Sequence, residues 1–177
     1  MTELHLLVQP DSLSRSALGT ISGGIALHFD EHVFPASDWS DLVVAVSLAW
    51  LETLVRIDRR DIREARVHFL DGPFCVDVRL DGGSIIVGLV ESTLKRDVLR
   101  HQMSANLKEV LRDAASTVAQ ILHECRLRGW NDDEIARLYQ LKHEAQELFR
   151  RESPGEHRTA PRAVPQKKPR KRTISPE

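Results

Sequence analysis

Cysteine is scarce. The 177 residues hold only Cys75 and Cys125, and neither belongs to a CxxC pair or a Cys/His cluster. That excludes a disulfide scaffold and a thiolate zinc site, and both thiols are read as small buried hydrophobes of a reducing cytoplasm. Aromatic residues make up only 5% of the chain, so its core is expected to be aliphatic. Long apolar runs are missing as well. The longest, residues 42–51, is interrupted by Ser47 and is about half of the roughly 20 residues that cross a bilayer. The opening MTELHLLVQPDS has neither a basic n-region nor an adequate apolar h-region, so secretion and membrane insertion are not expected.

The signatures of common chemistry are also absent. No Walker loop or GxGxxG run is present to cradle a phosphate. Gly19–Thr20–Ile21–Ser22–Gly23 lacks the spacing of a nucleophile elbow, and Cys75 has no neighbouring base to lower its pKa. His28 and His32 bracket an Asp–Glu pair, but on a continuous strand the two imidazoles stand roughly 13 Å apart, too far to share one zinc ion. No catalytic residue, metal ligand or cofactor is assigned, and the chain is read as a non-enzyme.

What the sequence does have is ordinary globular composition, 41% apolar and 29% charged, with an uneven charge. From residue 154 onward seven basic residues face two acidic ones. The preceding 153 residues hold the other 18 basic and 24 acidic residues, a net of −6. An acidic body thus precedes a basic tail. Residues 1–152 are expected to form a single α+β domain. Residues 153–177 are rich in proline and cations, bury little apolar surface, and are expected to be disordered.

Periodicity orders the elements. Leu4, Leu6 and Val8 alternate as a first strand, and Ile25, Leu27 and Phe29 as a second, with Gly23 and Gly24 read as turn glycines. FPASDWSDLVV, residues 34–44, reads as a helix entry with Asp38 as N-cap and Asp41 at N3. The helix that follows is apolar almost all round, with Trp39, Val43, Val46, Trp50, Leu54 and Ile57 on one stripe, which marks a central buried helix. Val67 with Phe69, Val76 to Leu80, and Ile85 to Leu89 alternate across the turns at Gly72 and Gly82, and residues 95–103 read as a charged edge strand. Ser104 is expected to cap one further helix and Asn131, with Glu134, the last, with Gly129 between them. The expected fold is an antiparallel sheet of about six strands in the order β-β-α-β-β-β-β-α-α, packed by a central helix and a C-terminal helical hairpin.

Two binding surfaces are expected. Asp30, Glu31, Trp39 and Asp41 are candidate contacts for a protein partner. The negative body favours a basic one, in the manner of an inhibitor or immunity-type protein held in the cytoplasm. Lys167, Lys168, Arg170, Lys171 and Arg172 place five cations in six residues. They are candidates for weak, sequence-independent contact with nucleic acid phosphates, without aromatics for base stacking.

Overall fold

The structure, a computed structural model, describes residues 3–152; the expected disordered tail and its cations lie outside them. The α+β class holds, and among the described residues the strands number nine in two antiparallel sheets. The first sheet is built on β3 (Ile21–Phe29). On one side β1 (Leu4–Val8) pairs along it from Leu4↔Phe29 to Val8↔Ile25, and β2 (Ser14–Arg15) continues that edge beyond a 3-10 turn at Pro10–Ser12. On the other side β4 (His32–Phe34) leaves at the cis Phe34–Pro35 bond, and the chain returns as β5 (Ser40–Asp41) opposite Gly23 and Gly24. One long strand is therefore flanked by two interrupted ones.

Gly23 and Gly24 are strand residues, not the expected turn. A Cβ on Gly24 would stand 2.7 Å from the Gln9 side chain and one on Gly23 2.8 Å from Leu13, so the interrupting turn lies flat on β3 only because both side chains are absent. The turn sits one hairpin later. Asp30 takes a positive φ of 49°, and His32 folds back to pair with Phe29, so residues 28–32 do not run on as a strand.

The second sheet is the meander β6 (Glu64–His68), β7 (Phe74–Asp81), β8 (Ser84–Ser92) and β9 (Asp97–Asn106), in that order. The charged segment expected over 95–103 is an edge strand, as its composition suggests, but it begins two residues later and ends three residues later, at Asn106. Val67, Val76, Val78, Ile85, Val87, Leu89, Met103 and Ala105 turn one face of this sheet into the core. The opposite face carries Arg66, Asp77, Ile86, Gly88, Leu99 and Gln102 and lies open.

The helix α1 (Val43–Asp58) fills the centre: ten of its sixteen residues are buried, as an all-round apolar helix requires. It packs on both sheets and on α2 (Leu107–Leu127) and α3 (Asp133–Glu152), which form the expected hairpin. The caps differ from the sequence reading. Asn106, not Ser104, accepts the backbone N–H groups of Lys108 and Glu109, because β9 consumes Ser104. Asp132, not Asn131, receives the Ile135 N–H at 2.9 Å. Gly129, at φ 68°, ends α2 as expected, with the Trp130 N–H closing on the Cys125 carbonyl. The free edge of β1 is covered by α2: Asp113 accepts the Leu6 N–H at 3.0 Å, and the Thr117 hydroxyl donates to the Leu6 carbonyl at 2.6 Å.

Candidate protein-interaction surface

Asp41 and Trp39 come together, but in a different role from that expected. α1 begins at Val43 with no side-chain cap, and Asp41 belongs to β5, where it is 2% exposed. Its Oδ1 accepts the Leu42 N–H at 2.7 Å. Its Oδ2 accepts the Trp39 indole N–H at 3.1 Å, the Leu70 N–H at 2.9 Å and the Asp71 N–H at 3.2 Å. A buried carboxylate is tolerable only with donors of this kind. Asp41 therefore latches the 69–73 loop onto the 35–41 segment, and it is turned inward where the sequence reading had offered it to a partner.

The latch holds a ring cluster in place. Trp39 meets Phe74 edge-on at 5.1 Å between centroids, Phe74 meets Phe34 at 5.5 Å, and Phe34 meets Phe69 at 5.9 Å. These rings come from both sheets, so the cluster is also the seam between them. Gly72 keeps the seam closed: a Cβ there would stand 2.6 Å from the Trp39 ring. Trp39 remains half-buried, and Leu70, whose N–H shares the Asp41 Oδ2 with the indole, is 53% exposed. Asp38 and Asp71 flank the pair in the sequence and are exposed. The result is an aromatic and aliphatic patch with two exposed carboxylates beside it in the chain. Leu70 also opens onto a groove of about 380 Å³ along the β6 edge, lined on α1 by Ala45, Ala49, Glu52, Thr53 and Arg56 and on β6 by Arg66, Val67 and His68, so the patch meets cations on that side.

Asp30 and Glu31 are placed elsewhere. They form the exposed β3–β4 turn, about 16 Å along β3 from the Trp39 backbone, which bonds to Ile25. Beside the turn the rings of His32 and His101 meet Phe29 in tilted contacts at centroid distances of 5.3 and 4.9 Å and each other at 5.7 Å, joining the first sheet to β9. Among the described residues no three His, Cys, Asp or Glu side chains gather as metal ligands. Burial raises the pKa of both thiols, so neither Cys75 nor Cys125 is poised as a nucleophile.

Other charged groups serve the fold. The Arg66 guanidinium on the open face of the second sheet grips Asp77 at 2.6 Å and Asp97 at 2.7 Å, and these bonds raise its pKa. Asp97 is lowered, first by the Ser92 hydroxyl and then by Arg66. His5 is raised by its 2.8 Å bond to Asp113. Sequence reading missed these pairs because strand pairing and helix packing set them and no local spacing does, and it gave no role to Phe34 or Phe74. No helix among the described residues is long and apolar enough to cross a membrane. Comparisons with protein-family models, curated proteins and solved structures found no match to this chain.

Proposed function

We propose that the chain is a non-catalytic protein-binding module of the cytoplasm whose folded body engages a cationic protein partner through the Trp39–Leu70 patch, in the manner of an inhibitor or immunity-type protein. One observation carries this reading: a tryptophan and a neighbouring leucine are held half-exposed by a buried latch, with the exposed carboxylates of Asp38 and Asp71 beside them. Large side chains fixed in place lose little entropy on binding, and tryptophan is enriched among residues that dominate interface energies. The net −6 of the first 153 residues favours encounter with a positive surface.

The test is affinity capture from lysate of the source cells, with the wild type beside Leu70→Arg and Trp39→Ala and with circular dichroism to check folding. Leu70→Arg changes an exposed side chain and leaves the latch intact. The expected result is one cationic protein retained by the wild type, released by moderate salt, and lost by at least about tenfold in both variants. Equal capture by all three would overturn the reading.

A second reading rests on the sequence outside the described residues. Lys167, Lys168, Arg170, Lys171 and Arg172 form a cation run suited to phosphate contact. It is separated from the first by gel-shift titration with and without residues 154–177. Salt-sensitive binding that disappears with the tail supports it, and tail-independent binding counts against it.

A further inference from the structure

A groove of about 760 Å³ lies between α2 and α3. Its floor is apolar, formed by Ala119, Leu122, Ile135 and Ala136. Its rims carry Arg126 and His123 from α2 and Lys142 from α3, and none of its thirteen lining residues is acidic. In a body of net charge −6 this is a local inversion. Arginine only donates, so the 3.3 Å contact of Arg126 with His123 Nδ1 makes that nitrogen an acceptor and leaves the guanidinium as the permanent charge. The Lys142 ammonium stands 5.8 Å from the Tyr139 ring, which is 53% exposed. Glu124, on the same helix, turns to Arg128 at 3.6 Å and does not neutralise the rim.

We propose that this groove receives an amphipathic α-helix of a protein partner, with its apolar stripe on the Leu122–Ile135 floor and Asp or Glu along its flanks against Arg126 and Lys142. The surface is distinct from the Trp39 patch and does not depend on it. Two adjacent helices with small residues between them offer the ridge-and-groove seat that a third helix fills, and the span from Ala119 to Arg126 is about two turns, or roughly 10 Å. Charge selects the occupant. A second copy of the same face would set Arg126 and Lys142 against like charges, and residues 153–177 of this chain, at +5, carry the same sign as the rim. A nucleic acid needs a row of cations, whereas the groove offers two permanent ones around an apolar floor.

The test is selection of a displayed helical peptide library against the full chain. The apolar stripe of the library is fixed, and its flanking positions are free to be acidic, basic or neutral. Selected peptides are expected to carry acidic flanks and to bind at least about tenfold more weakly to the Arg126→Glu, Lys142→Glu double variant, while retaining affinity for Leu70→Arg. Both replaced side chains are on the helix surface, and circular dichroism checks that the variant is folded. Neutral or basic flanks, binders indifferent to charge reversal, or no binders at all would overturn the proposal. So would an oligodeoxythymidylate that binds the full chain and is lost in the same variant, which would mark a nucleic acid face.

Discussion

Asp41 holds two loops with one carboxylate, and its removal leaves four donors without their acceptor, three of them backbone groups. Asp41→Ala is expected to lower the unfolding free energy by about 3 kcal/mol or more, measured by urea denaturation. A loss under about 1 kcal/mol would show that the latch is not what holds the seam. Ser47 makes the opposite case. Its hydroxyl is buried in α1 with no partner among the described residues, so Ser47→Ala removes a desolvated polar group and improves helix propensity. A gain of about 1 kcal/mol is expected in the same measurement, and a loss would reveal a partner for the hydroxyl.

His5 supplies a pH dependence. The Asp113 hydrogen bond raises its pKa in the folded state above the ordinary histidine value of about 6.5. Its stabilising contribution is therefore complete below about pH 6.5 and is lost as pH rises through the raised folded value. Glu3 and Asp113 face the ring and favour its protonation, and His28 stands opposite it on β3. In thermal melts across this range, His5→Asn is expected to flatten the decline seen in the wild type. Identical slopes in both proteins would show that the pair does not contribute.

At the level of the elements, what the sequence disclosed depended on whether periodicity was local. α1, the α2–α3 hairpin and the β7–β8 turn were legible because their apolar spacing and turn residues lie within one segment. The start of α1 was misread because Asp38 and Asp41 satisfy the local rule for a cap, while Asp41 finds stronger partners in the 70–71 backbone, thirty residues away. Gly23–Gly24 reads as a turn locally, but it is a stretch of β3 paired with β5, and its missing side chains leave room for Gln9 and Leu13. The division into two sheets was invisible for the same reason, since ring contacts made across distant loops fix the seam. The caps of α2 and α3 follow local chemistry within one or two residues: Asn106→Ala is expected to cost about 1 kcal/mol by chemical denaturation. A neutral result would mean that β9, and not the cap, sets where α2 begins.

Over the whole molecule, charge is segregated more finely than composition shows. The acidic excess belongs to the body as a whole, Asp38 and Asp71 stand beside the Trp39–Leu70 patch with Arg56 and Arg66 along its β6 side, and the α2–α3 groove is rimmed by cations. Of the candidate contacts read from sequence, Trp39 retains an exposed part beside Leu70, Asp30 and Glu31 form a separate exposed turn, and Asp41 turns inward. Tryptophan was legible as an anchor because its size and rarity stand out. Leu70 was not, since only the Asp41 latch brings it beside the indole.

Site-specific photo-crosslinking tests the Trp39–Leu70 surface most directly. A benzophenone side chain is placed at position 70, beside Trp39, and in a separate protein at position 81, the exposed last residue of β7; each is irradiated in cell lysate. One cationic protein is expected to join position 70, to be competed away by unlabelled wild type, and not to join position 81. The same adducts at both positions, or none at position 70, would contradict the assignment of this surface to a partner.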